Sequence, residues 1–99
     1  MNTKDIPENS AAWTFLSNHG HVLVCIVRDP NVRVREIAQA VGVTERAVQR
    51  ILSELEEARV IVRTRQGRRT HYEVNERLPL RHPIEARHSV GELVRVVRS

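Results

Sequence analysis

Aromatic residues, cysteine and lysine are scarce in this chain. Phe, Trp and Tyr make up 3% of its 99 residues, so Val, Leu and Ile must fill the core, and a stacking platform for single-stranded nucleic acid is disfavoured because it needs several aromatic faces. The one cysteine, Cys25, stands in the apolar run VLVCIV. No intramolecular disulfide can form, and a reducing compartment is expected. No apolar run reaches the length of a transmembrane helix and no signal peptide is visible, so the expected location is cytoplasmic, with no membrane partner. There is no nucleophile–base constellation, phosphate-cradling glycine loop or zinc-hydrolase spacing, which argues against an enzyme. No cofactor is implied. The length suits one small domain with a single core.

The charge balance is basic, with 16 Lys and Arg against 12 Asp and Glu, a formal net charge of +4. That fits a polyanionic partner. Lys4 is the only lysine. The preference for arginine reads as phosphate and base recognition through the guanidinium fork, or equally as the codon usage of a GC-rich genome. Where the charges fall must therefore decide.

Val34 to Ile61, VREIAQAVGVTERAVQRILSELEEARVI, has small and apolar residues where two crossing helices need them. Ile37, Ala38 and Val41 form one face of a short helix, Gly42 stops it, and Thr44 is placed to cap a second helix, with Glu45 suiting its dipole. Val48, Ile51, Leu52 and Leu55 share the inner face of that second helix. Its outer face shows Arg46, Gln49, Arg50 and Ser53. In the major groove of duplex DNA, Arg suits guanine, Gln suits adenine and Ser serves either base or phosphate. Glu54, Glu56 and Glu57 would hold the far end away from phosphate.

Around this unit the chain falls into expected segments. Residues 1–16 read as an N-terminal arm, in which Trp13, Phe15 and Leu16 concentrate the aromatic area; Trp13 suits core packing or a subunit interface. Ser17 or Asn18 caps a helix to Arg28, stopped by Asp29-Pro30, although a start near Ser10 that passes through Gly20 is also compatible. The alternation NVRVR over 31–35 predicts a very short strand before a helix at Glu36. VIVRTR (60–65) and THYEVN (70–75) predict a β-hairpin through Gln66-Gly67-Arg68-Arg69. Arg63, Arg65, Arg68, Arg69 and His71 surround its tip with no acid until Glu73, which suits phosphate or minor-groove contact better than a merely solvated loop. Residues 76–83, with Pro79 and Pro83, read as a linker. Residues 84–99 predict a final helix with Pro83 in its first turn and Val90, Leu93, Val94 and Val97 on one stripe, packing on a second copy or on its own domain.

Three helices followed by a basic hairpin resemble the winged helix-turn-helix domain of transcriptional regulators of the ArsR/MarR type. The residues that carry the likeness are REIAQAVGVTERAVQRILSELEEARVI and RQGRRTHYEVN. The resemblance implies an α+β, mainly helical fold over residues 17–75 with an additional C-terminal helix. It also implies a homodimer on double-stranded DNA, with Thr44, Glu45, Arg46, Gln49, Arg50 and Ser53 of the reading helix and Arg65, Gln66, Gly67, Arg68, Arg69 and His71 of the wing at the DNA. Trp13, Leu16, Val90, Leu93, Val94 and Val97 are the expected dimerisation residues. Many relatives have Gly where this chain has Arg59, so Arg59 must accept a strained helix exit or the helix must end differently. Two alternatives keep the scaffold and change the role. One is a protein-interaction module; the other is a sensor with a metal or small effector at the dimer interface, the effector itself being unidentified. His82, Glu85 and His88, with Glu92 a turn later, are the residues a metal would need, but solvated side chains explain them as well.

Overall fold

The computed structural model describes residues 13–98. Most of the 1–16 arm therefore lies outside the described residues. The elements run α1 (Asn18–Arg28), α2 (Val34–Val41), α3 (Glu45–Glu57), β1 (Ile61–Gln66), β2 (Arg69–Val74) and α4 (Val90–Val97). This is a winged helix-turn-helix with a C-terminal helix, the fold that the resemblance implies.

Each helix begins at a residue with a physical reason to begin it. Ser17 caps α1, its hydroxyl accepting from the Gly20 N–H, so the later of the two starts considered for this helix is the observed one. Thr44 caps α3, accepting from the Ala47 N–H at 3.0 Å. Gly42 ends α2 at φ 85°, a left-handed conformation that costs a side-chain-bearing residue about 1 kcal/mol or more. Its N–H and that of Val43 both return to the Ala38 carbonyl, at 2.8 and 3.1 Å, which closes α2 and aims the chain into α3.

The core is assembled from every element. Val22, Leu23 and Ile26 of α1 meet Ile37 and Ala38 of α2 and Val48, Ile51, Leu52 and Leu55 of α3, with Ile61, Tyr72, Val90 and Val94 closing it. Ala38 is buried in the core, and α2 packs on α3.

Two boundaries differ from expectation. The strand expected at 31–35 is absent, and α2 starts at Val34. The Asp29 carboxylate accepts from the Asn31 N–H at 3.0 Å and the Asp29 carbonyl from the Val32 N–H at 3.0 Å, so the chain turns here instead of extending. Val32 and Val34, which gave the strand-like alternation, flank the helix start and pack half-buried on the core. The last helix starts at Val90, not Ile84. Pro83 to His88 form successive turns, and Ile84 is 87% exposed. The true start is a capping box: the Ser89 hydroxyl accepts from the Glu92 N–H at 3.1 Å while the Glu92 carboxylate accepts from the Ser89 N–H at 3.0 Å.

Residues 76–80 are tied down. The Val90 and Gly91 N–H groups donate to the Leu78 and Glu76 carbonyls at 2.8 and 2.9 Å, and Leu80 N–H donates to His88. A Cβ at position 91 would lie 2.9 Å from the Glu76 carbonyl, so only glycine allows this approach. By these contacts α4 is set against α1 of its own chain.

Candidate nucleic-acid interface

An α-helix turns about 100° per residue. With Val48, Ile51, Leu52 and Leu55 buried, Arg46, Arg50, Ser53 and Glu57 lie along the opposite, exposed line of α3, with Gln49 on one flank and Glu54 on the other. Every outward residue expected on the reading helix is thus at the surface. Thr44 already uses its hydroxyl oxygen in the cap, and Glu45 opens the first turn. Arg50 is not unpartnered: its Nη1 donates to Glu54 Oε1 at 3.1 Å, and the same oxygen pairs with His19 Nε2 of α1 at 2.8 Å.

The hairpin pairs antiparallel, Ile61 opposite Val74, Arg63 opposite Tyr72 and Gln66 opposite Arg69. Gly67 takes φ 62° at the first of the two turn positions, and Arg68 has no positive φ. That is the pattern of a type II′ hairpin turn. The buried face carries Ile61 and Tyr72, and the tip exposes Arg65, Gln66, Gly67, Arg68 and Arg69.

Not all of the expected basic surface is available. Arg63 donates twice to Glu56 Oε1, from Nη2 at 2.8 Å and Nε at 3.2 Å, which ties β1 to α3. The Arg63 hydrogen bond also holds the Glu56 carboxyl below the usual carboxylate range. His71 is half-buried, and its Nδ1 meets Asn31 Oδ1 at 3.0 Å. Arg69 Nη2 donates to the Asn31 carbonyl at 2.7 Å, and the Tyr72 N–H donates to the Pro30 carbonyl at 2.8 Å. The turn at 30–31 therefore docks the wing along its β2 edge. Asn31, Arg33 and Arg35 were not foreseen as site residues, although the two arginines of NVRVR bring further positive charge to this end of α2.

The six expected dimerisation residues are divided. Val90 and Val94 are 4% and 1% exposed within the chain's own core, which removes them from any outer surface. Leu16, Leu93 and Val97 are half-buried, and Trp13 is 74% exposed, edge-on to Phe15 with ring centroids 4.8 Å apart. His82, Glu85 and His88 lie in turns and not on one helix face, because the Glu85 and His88 N–H groups return to the carbonyls three residues before them. His88 Nδ1 meets Glu92 Oε2 at 2.8 Å. Among the described residues no group of three or more His, Cys, Asp or Glu is placed to hold a metal ion.

Residues 17–62 match a family model described as winged helix-turn-helix DNA-binding. The match takes in the three-helix unit and ends as β1 begins, so the basic hairpin lies almost wholly beyond it. No curated protein and no solved structure matches the chain. Among the described residues no helix is long and apolar enough to cross a membrane.

Proposed function

We propose that the chain is a transcriptional regulator of the ArsR/MarR type that reads duplex DNA as a homodimer. The observation that carries this reading is the exposed row Arg46, Gln49, Arg50 and Ser53 on a capped helix, followed in the chain by a hairpin whose tip holds three exposed arginines and no acid. The reading helix lies in the major groove with Arg46, Gln49 and Arg50 at base edges or phosphates. Arg65, Arg68 and Arg69 follow the neighbouring backbone or minor groove. Two copies related by a two-fold axis would favour half-sites about one helical turn apart.

Selection of bound sequences from a random duplex library tests the reading directly. A bipartite, inverted-repeat consensus is expected. Arg50→Ala or Gln49→Ala should alter the selected bases, whereas Arg68→Ala should weaken binding to every sequence and lower the salt slope by about one unit. Enrichment of no sequence, with binding no better than to bulk DNA, would overturn sequence-specific reading.

A further inference from the structure

A cavity of about 250 Å³ lies between the start of α2 and the outer strand of the wing, lined among others by Asn31, Arg33, Val34, Arg68, Arg69 and Thr70. Three arginines from two separate chain segments are among its lining residues, and no Asp or Glu is. No ion pair joins the side chains of Arg33, Arg68 or Arg69 to a carboxylate among the described residues, so nothing within the chain offsets the charge that they bring to this one concave place. Like charges gathered in a concave site repel one another unless a counter-charge enters.

The walls are held in place. Arg69 is fixed by its bond to the Asn31 carbonyl, and the Tyr72 N–H to the Pro30 carbonyl fastens β2 to the turn that precedes α2. A guanidinium carries five N–H donors, so the one that Arg69 gives to Asn31 leaves others for a ligand. The nearest acids along the chain lie outside the lining: the Asp29 carboxylate accepts from the Asn31 N–H at 3.0 Å and the Glu36 carboxylate from the Arg33 N–H at 2.9 Å. Thr70 adds a hydroxyl to the lining.

We infer that this cleft is a phosphate-binding site, with Arg33 as a ligand-contacting residue that belongs to neither the reading helix nor the wing. The phosphate is a backbone diester of bound duplex or the phosphate of a small free ligand. The first source rests on the DNA-reading proposal; the second does not. Both are tested on the full chain.

In one arm, isotope-labelled protein is titrated with inorganic phosphate against chloride at matched ionic strength, and amide shifts are followed. In the other, duplex affinity is measured across a salt series for the parent, Arg33→Gln and, as a control on α3, Arg46→Gln. A backbone site predicts that Arg33→Gln lowers the salt slope by about one unit on every sequence without changing the selected bases. A free-ligand site predicts saturable shifts at Arg33, Val34, Arg68 and Thr70 that Arg33→Gln abolishes and Arg46→Gln leaves intact, with the salt slope unchanged. If Arg33→Gln alters neither readout, the cleft is not a phosphate site, whatever the wing does. If the parent shows no duplex binding, the proposed function falls and the phosphate arm alone decides the cleft.

Discussion

Glu54 holds two side chains with one oxygen. His19 Nε2 stands 2.8 Å from its Oε1 and Arg50 Nη1 donates to it at 3.1 Å, so an anchor on α1 reaches through a carboxylate to an arginine on the reading face. All three are substantially exposed, and an i,i+4 pair of this kind contributes at most about 0.5 kcal/mol. Its effect should therefore appear in recognition. Glu54→Gln is expected to leave the unfolding midpoint in urea almost unchanged while relaxing the preference at the base pair that the proposed reading assigns to Arg50, as judged by competition between matched and mismatched duplexes. An unchanged preference would show that Arg50 needs no such hold. Burial acts on other single residues. Desolvation pushes the Cys25 thiol up, against a smaller downward pull from Arg28, which leaves a poor nucleophile at neutral pH and disfavours a redox-sensor role. Burial likewise raises the Tyr72 phenol. A raised value means that the folded chain keeps its proton longer than the unfolded chain. Stability from Tyr72 is thus fully present below the ordinary phenol value of about 10 and is lost as pH rises through the higher folded value. Tyr72→Phe should flatten the alkaline fall of thermal stability, measured by circular dichroism melts from pH 8 to 11, and a fall as steep as the parent's would assign it to other groups.

At the level of elements, the end of α3 resolves the question posed by Arg59. Its φ is 66°, and it is the only described non-glycine residue with a positive φ. The Arg59 N–H returns to the Glu56 carbonyl at 3.0 Å and the Val60 N–H to the Leu55 carbonyl at 2.9 Å, the paired bonds of a Schellman ending, with Leu55 and Val60 both buried. The helix thus ends as it would with glycine, and the side chain bears the strain. Arg59→Gly should stabilise the fold by about 1 kcal/mol, read from chemical unfolding, because relief of the left-handed strain exceeds the added freedom of the unfolded chain. A loss of stability would mean that Arg59 makes a compensating contact. Why some elements were legible in the sequence and others were not has the same local character. Ser17, Gly42, Thr44 and the Gln66–Arg69 link are punctuation that acts within one turn, so α1, the α2–α3 unit and the hairpin could be read directly. Val32-Arg33-Val34 alternates like a strand, and the turn closed by the Asp29 carboxylate on the Asn31 N–H and the Asp29 carbonyl on the Val32 N–H diverts it. Pro83 and Ile84 imitate a helix start, although Ser89 and Glu92 carried the stronger signal. The commitment of Arg63 to Glu56 and of His71 to Asn31 depends on contacts made only after folding, and no spacing along the chain reveals them.

Across the whole molecule, α4 changes what a dimer would be for. Val90 and Val94 complete the core of their own chain, and Arg28 Nε reaches the Val97 carbonyl at 3.3 Å, so α4 does not need a second copy to bury its stripe. The large apolar side chains left exposed among the described residues are Trp13 at 74%, Phe15 at 91%, Ile84, Val96 and Val62, and of these Trp13 and Phe15 lie together. Phe15 also borders a groove of about 340 Å³ lined by Leu16, Leu23, Leu80 and Leu93. Exposed aromatics beside an apolar groove are costly in water and suit self-association, which moves the expected contact from the inner stripe of α4 toward the N-terminal aromatic pair. Because Trp13 is the single tryptophan, its fluorescence reports on this surface alone. On raising the protein concentration the emission should shift to the blue together with a rise in sedimentation coefficient. Phe15→Ser should abolish both while leaving the melting temperature of the monomer nearly unchanged, since the side chain is outside the core. DNA affinity should fall most on two-half-site duplexes and least on single half-sites, because only the former gain from linking two reading helices. If Trp13 emits as a solvated indole at every concentration while the protein still sediments as a dimer, pairing uses another face. If it remains monomeric and still prefers paired half-sites, the two-fold model itself is wrong.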